Sequence, residues 1–179
     1  MDYNLWIEVL TKPKEVFAAQ KTKGDLMAGV MNLGIAYFVV GLVSAIFLLA
    51  DPVVAISSLI GTVVIGIILS IIGVGILYLI AMLLGGKGTF TQQYYLMSIF
   101  SVPIVVLSLI PIVGILVSLY GLYLLTLALK EVHAFDTMKA VLVWLIPVIL
   151  MVILAAIFAA TIFAALMGAA GTGGTGLPF

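Results

Sequence analysis

Long uncharged stretches, separated by short polar segments, dominate this chain of 179 residues. They run over 26–50, 52–86, 88–129 and 140–179, and they lack the apolar and polar alternation of a half-buried strand. The hydrocarbon core of a bilayer is about 30 Å thick, and a helix needs roughly 20 apolar residues to cross it. The pattern therefore predicts an all-α, polytopic membrane protein, and it excludes the alternating strands of a transmembrane barrel.

The stretch 88–129 is too long for one crossing. A single helix of that length would extend about 63 Å, and Pro103 and the segment Pro111-Ile-Val-Gly114 interrupt it. Two short crossings fit the stretch better. We therefore predict one domain over 26–167 with five transmembrane helices, at 26–50, 57–84, 94–110, 112–129 and 140–167.

Composition narrows the class of protein further. Hydrophobic residues make up 65% of the chain and charged residues 8%, and the mean hydropathy is +1.44. A soluble monomer of this size cannot bury so much apolar side chain, and a disordered chain is less hydrophobic. The net charge of zero argues against a nucleic-acid partner. Cysteine is absent, so thiol chemistry and disulfides are excluded.

The positions of the lysines predict the orientation. With five crossings, all seven lysines fall on one side of the membrane, which the positive-inside rule makes cytoplasmic. We therefore expect a multi-pass protein of the cell membrane with a cytoplasmic N-terminus. The Gly/Thr-rich tail 168–179 is expected outside. The first apolar run is longer than the core of a signal peptide and is interpreted as a retained signal anchor.

Residues 1–25 precede the first crossing and are predicted to form short amphipathic helices. Trp6 and Phe17 belong to apolar positions at helical spacing, and Thr11 is expected to cap a second helix with Pro13 in its first turn. This segment either covers the cytoplasmic ends of the bundle or docks a partner. In the second case Trp6 and Phe17 would be its exposed anchors.

Small residues recur at four-residue spacing in three of the predicted helices. Such spacing lets helix backbones approach closely, which matters because lipid provides no hydrophobic drive for helix association. The contacts are expected within the bundle or, for the fifth helix, between copies of the chain. The candidate packing residues are Gly41, Ala45, Gly66, Ser70, Ala156, Ala160, Ala164 and Gly168.

The segment from Lys130 to Asp136 contains the only histidine, His133. Glu131, His133 and Asp136 suggest a metal site, but no second His or Cys completes a zinc set. We interpret the segment as a solvated loop in which Asp136 caps the fifth helix and Lys130 faces the end of the fourth. His133 and Lys130 are candidate partner contacts.

Lys87 lies in the glycine-rich segment Gly85-Gly-Lys-Gly88. The pattern of a phosphate-binding loop is absent, so the segment is interpreted as a turn. Thr89 and Gln92 have the spacing of a capping box for the third crossing. Lys87 is a further candidate partner contact.

Ionisable residues are missing from the middle of every predicted helix. Proton relays and ion pathways usually need such groups, and catalysis needs a nucleophile with a base, or metal ligands. The polar side chains noted inside the crossings are Ser, Thr and Tyr78. We therefore predict no enzymatic activity, no catalytic residues, no metal and no cofactor.

Several short segments, taken in order, resemble the Yip1-domain family, in its prokaryotic or archaeal branch. The resemblance covers about residues 10 to 165. The segments are Leu10-Thr-Lys-Pro-Lys-Glu-Val-Phe17, Gly86-Lys-Gly-Thr-Phe-Thr-Gln-Gln93, Ser98-Ile-Phe-Ser-Val-Pro103, Pro111-Ile-Val-Gly114, and Leu127-Ala-Leu-Lys-Glu-Val-His133 followed by Lys139-Ala140.

The resemblance implies a five-helix membrane domain with a cytoplasmic N-terminus. Eukaryotic relatives bind prenylated GTPases in vesicle traffic, but this chain lacks their long N-terminal region and its Asp-Leu-Tyr-Gly-Pro type motif, so that role is not carried over. We expect a scaffold or organiser of membrane proteins or lipids, whose partners are the bilayer, other membrane proteins or a second copy. The alternatives are a transporter or channel for a small neutral solute and an accessory subunit of a larger complex.

Overall fold

A computed structural model describes residues 3–172, except for the side chains of residues 166 and 168–172. All regular elements in this range are helical, and Lys21–Lys23 form a 3₁₀ turn. The helices are α1 (Asn4–Thr11), α2 (Pro13–Gln20), α3 (Leu26–Phe47), α4 (Pro52–Leu83), α5 (Phe90–Leu107), α6 (Pro111–His133) and α7 (Thr137–Thr172).

Five of these helices, α3 to α7, are long and apolar enough to cross a membrane. This confirms the prediction of an all-α polytopic protein with five transmembrane helices behind a short helical N-terminal segment. The helix bounds differ from the predicted crossings, since α4 begins at Pro52 and α6 continues to His133. Helix α7 continues into the predicted tail as far as Thr172, and residues 173–179 lie outside the described range.

Side-chain caps define where the transmembrane helices begin. Asp51 accepts hydrogen bonds from the backbone N–H groups of Val53 and Val54, and this cap starts α4 at Pro52. Thr89 and Gln92 form the predicted capping box at the start of α5. Asp136 caps α7 by accepting from the N–H of Lys139 at 2.8 Å, as predicted. Each cap satisfies backbone donors that have no partner inside the helix.

The predicted cap at Thr11 is wrong. Thr11 is the last residue of α1, and its hydroxyl donates to the carbonyl of Glu8 at 3.3 Å. Lys12 occupies the position before α2, with no side-chain cap, and Pro13 is in the first turn as expected. The first helix is therefore extended by the residue that was expected to start the second.

The chain divides into two compact units, Met1–Val143 and Trp144–Phe179. In the first unit α3 packs against α4 and α5, and α5 packs against α6. Helix α1 contacts α5, and α2 contacts α6. The described part of the second unit is the continuation of α7, which contains Pro147.

The small residues of α7 lie on its exposed surface in the second unit, at Ala156, Ala160 and Ala164. The surroundings of Gly168 lie outside the described residues. The expected close packing along this stripe therefore stays a prediction.

Helices α3 and α4 approach each other closely at two glycines. A Cβ atom on Gly41 would lie 3.1 Å from the carbonyl oxygen of Leu59, and one on Gly66 would lie 2.7 Å from Cγ of Tyr37. Ala45 is buried. The Ser70 hydroxyl lies 2.7 Å from the Ile67 carbonyl oxygen. By contrast, a Cβ on Gly61, in the same helix α4, would meet nothing within 4 Å.

The two glycines of α4 give a matched test of this packing. Gly66→Ala should lower the free energy of unfolding by about 1–3 kcal/mol, because the new methyl group overlaps the Tyr37 ring. Gly61→Ala should leave it unchanged or raise it by up to about 1 kcal/mol, through helix propensity alone. Thermal unfolding in detergent measures both. Equal shifts for the two variants would contradict the close contact at Gly66.

Candidate functional site: the lysine end

Contacts among helix ends bring the lysine-bearing segments together at one end of the first unit. Lys21 Nζ lies 2.6 Å from Glu131 Oε1, and Lys139 Nζ donates to the Leu84 carbonyl at 3.4 Å. Lys130 Nζ donates to the Thr137 hydroxyl at 2.7 Å. We refer to this end as the lysine end. It carries Lys12, Lys14, Lys21, Lys23, Lys87, Lys130 and Lys139.

Helices α1 and α2 form an N-terminal pair that is part of the hydrophobic core. Val9 is fully buried and Phe17 is 1% exposed. The Phe17 ring meets the Phe100 ring edge-to-face, with centroids 6.1 Å apart. The core that these residues share with α5 and α6 also includes Val16, Leu96, Ile99, Leu124, Ala128 and Val132.

The expectation that Phe17 is an exposed anchor is therefore wrong. The apolar face of α2 packs against transmembrane helices of its own chain, which leaves almost none of the Phe17 side chain exposed to a protein partner. Trp6 differs, since it is only partly buried and packs on the same core. Its ring also meets the Tyr3 ring at a centroid distance of 5.2 Å. Of the two proposed anchors, Trp6 alone keeps an accessible edge.

Two polar contacts hold the N-terminal pair in place. The Tyr120 hydroxyl donates to the Leu10 carbonyl at 2.8 Å, and so satisfies a carbonyl that the end of α1 leaves without a helical partner. Beyond α2, the ion pair between Lys21 and Glu131 joins the 3₁₀ turn to α6. That pair is partly exposed, so it contributes at most about 1 kcal/mol. Its main effect is to set the position of the turn.

His133 is buried rather than solvated, and this corrects the interpretation of its segment. It is 1% exposed. Its Nδ1 accepts from the Gly88 N–H at 3.2 Å, so its Nε2–H is free to donate to Gln93 Oε1 at 2.7 Å. The ring stacks on Phe135. A neutral histidine therefore connects α6, α5 and the glycine-rich turn.

The glycines of that turn make room for His133. A Cβ on Gly86 would lie 2.5 Å from His133 Nδ1, and a Cβ on Gly88 would overlap Val132. Lys87, between them, is exposed. The segment 85–88 thus packs closely against the end of α6 through its backbone, while Lys87 remains available at the surface.

A layer of buried polar contacts continues from His133 into the helices. Gln93 Nε2 donates to the Val74 carbonyl at 3.3 Å. Asn32 Nδ2 donates to the Ser98 hydroxyl at 3.1 Å. The Ser70 and Tyr94 hydroxyls lie 2.9 Å apart. Among the described residues, every buried side-chain nitrogen and oxygen has a partner. The layer joins helices α3 to α6.

Sequence reasoning overlooked Asn32 and Gln93 in this layer. Asn32 stands in the uncharged run of the first crossing, and a carboxamide in that setting is a signal of a buried hydrogen bond between helices. Gln93 directly follows the capping-box residue Gln92, and no feature of the sequence shows that its side chain is buried. Over residues 3–172, no cluster of His, Asp and Glu side chains has the arrangement of a metal site.

The comparisons with known proteins decide the family. The family model of the Yip1 domain matches residues 7–160. The chain belongs to the Yip1 domain family. The matched region of this Yip1-domain protein begins within α1 and ends within α7, so it includes most of α1, all of α2 and the polar layer. No curated protein and no solved structure matches the chain.

A double-mutant cycle can measure the interaction between Gln93 and His133 in this Yip1-domain protein. Gln93→Leu and His133→Leu should each lower the free energy of unfolding by about 1–3 kcal/mol, because each leaves a buried polar group without its partner. The double variant should cost at least about 0.5 kcal/mol less than the two single losses combined. Thermal unfolding in detergent supplies all three values. Strict additivity would show that the two side chains do not interact.

Proposed function

We propose that this Yip1-domain protein is a non-enzymatic organiser of the cell membrane, which binds other membrane proteins or lipids through its lysine end. One observation carries the proposal: the N-terminal pair is packed into the bundle through Val9 and Phe17. The surface that the pair presents is therefore fixed relative to α5 and α6. A fixed surface with exposed lysines and the edge of Trp6 suits docking.

We further propose that the lysine end faces the cytoplasm, with the N-terminus inside and the C-terminus outside. The support is the positive-inside rule applied to the lysines gathered at this end. The turn between α3 and α4, at the opposite end of these helices, contains Asp51 and no lysine. Partners would then dock from the cytoplasm or within the bilayer.

A transporter for a small neutral solute is the second candidate, because the polar layer lies among transmembrane helices. Its side chains, however, bond to one another and to helix carbonyls. Opening a path would require these bonds to break. Solute flux into proteoliposomes, lost on Asn32→Leu while the fold is kept, would favour the transporter over the organiser.

An accessory subunit of a larger complex is the third candidate. It would differ from an organiser by co-purifying with its partners at a fixed stoichiometry.

The orientation is tested by labelling single cysteines in a chain that naturally has none. Lys87→Cys and Lys14→Cys should react with a membrane-impermeant maleimide only after the cytoplasmic face is opened. Ala50→Cys, in the turn between α3 and α4, should react in intact cells. The opposite result at both ends would reverse the orientation. Reaction of Ala50 and Lys87 from the same side would contradict a membrane crossing by α4.

Partner binding is tested at Trp6 with its neighbour Ile7 as the control. Both residues are in α1, and Ile7 is 69% exposed. Proteins that co-purify with the wild type in mild detergent should be lost or reduced several-fold with Trp6→Ala and kept with Ile7→Ala. Thermal unfolding verifies that both variants remain folded. An identical set of proteins with all three forms would argue against docking at the N-terminal pair.

A further inference from the structure

We propose that the seam between α2 and α6 binds the phosphate of an anionic phospholipid, taken from the leaflet on the lysine side. This inference names a ligand class for the proposed organiser and rests on that function. It also assigns a binding role to lysines that the packing of the bundle does not use.

Two adjoining grooves lie along this seam. One, of about 210 Å³, is lined by Lys14, Phe17, Leu127, Lys130 and Glu131. The other has the same volume of about 210 Å³ and is lined by Thr11, Lys12, Pro13, Lys14, Glu15 and Tyr123. Lys14 lines both, so its side chain stands between them. The floor of the first groove is apolar, whereas its rim carries the charges.

The rim of the first groove has an excess of positive charge. Its one carboxylate, Glu131, is bonded to Lys21 at 2.6 Å. Lys130 donates to a neutral hydroxyl, that of Thr137, so its charge is not neutralised. Lys14 has no hydrogen-bonding or ionic partner within residues 3–172. Two lysines therefore converge on the groove with no carboxylate of their own, which is the complement of one phosphate group.

The surface next to the groove fits the rest of a phospholipid. Residues at three- and four-residue spacing on α6 form an exposed apolar stripe that leads away from Lys130 and the partly buried Leu127 toward the start of the helix, and they are Tyr123, Leu119, Leu116 and Ile112. Tyr123, nearest the charged end, is 47% exposed, and Tyr is typical of the headgroup level. A phosphate above an apolar stripe matches the two parts of one lipid molecule.

The volume of the grooves favours a lipid over a larger partner. Pockets for whole small molecules usually measure about 300–1,000 Å³, and each groove here is smaller, at about 210 Å³. A groove of this volume has room for a phosphate with part of its glycerol, while the acyl chains remain in the bilayer. An anionic lipid is preferred over a zwitterionic one because it brings no ammonium group to oppose the lysines.

The test measures which lipid the protein retains. The full chain is reconstituted into vesicles made of equal parts phosphatidylglycerol and phosphatidylcholine, extracted in mild detergent, and weighed by native mass spectrometry. The wild type should retain phosphatidylglycerol over phosphatidylcholine. Lys14→Gln should reduce this preference about five-fold, and Lys130→Gln should reduce it similarly, as expected for one lysine at an anionic surface.

The matched control is the double variant Lys23→Gln with Lys87→Gln. It removes the same charge from the lysine end as Lys14→Gln with Lys130→Gln, but from outside the two grooves. The proposal requires the preference to fall in the groove variant and to remain in the control. Thermal unfolding without added lipid verifies that both are folded. An equal fall in the two double variants, or no fall in either, would overturn the assignment.

A second arm separates a lipid site from a simple anion site. An excess of inorganic phosphate should leave the retained phosphatidylglycerol in place, because the acyl chains contribute to its binding. Displacement of the lipid by free phosphate would overturn the lipid assignment. Failure of this inference is distinguishable from failure of the proposed function, since neither Trp6 nor Ile7 lines the grooves and protein co-purification is measured separately.

Discussion

The packing of the N-terminal pair against α5 and α6 is the contact on which the organisation of the lysine end depends. Lipid tails are as apolar as Val9 and Phe17, so burial alone does not drive these side chains onto α5 and α6 rather than into the bilayer. Close packing and polar contacts must do so. Phe17 meets Phe100, Tyr120 satisfies the Leu10 carbonyl, and the ion pair beyond α2 sets the turn. Together these contacts give a short helical segment one defined place.

Polar groups that are shielded from water need hydrogen-bond partners, and this requirement explains the polar layer inside the bundle. Gln93 uses both ends of its carboxamide, one toward His133 and one toward the Val74 carbonyl. The glycine-rich turn completes the arrangement through the Gly88 N–H. Unpaired, these groups would each cost a few kcal/mol in a lipid environment. Fully paired, they fix how α5, α6 and the turn fit together.

The sequence was sufficient for the number of membrane crossings and for several caps, and it was insufficient for tertiary contacts. The number of crossings follows from the lengths of the uncharged runs and from the prolines that divide them, because the thickness of the bilayer sets the length of a crossing helix. The capping residues Thr89 and Asp136 act locally, so spacing alone identified them. Phe17 was misplaced because an amphipathic helix shows an apolar face without showing what covers it. His133 was misplaced because the space for it is created by glycines distant in the sequence.

Amide hydrogen exchange in proteoliposomes tests the central claim, that the N-terminal pair is part of the bundle core, most directly. The comparison is between Phe100→Ala, which removes the ring that Phe17 contacts, and Leu116→Ala, at an exposed position of α6. The account predicts that exchange across 9–20 becomes faster in Phe100→Ala and stays at the wild-type rate in Leu116→Ala. Protection of 9–20 that is unchanged in Phe100→Ala would show that the pair lies on the membrane surface independently of α5.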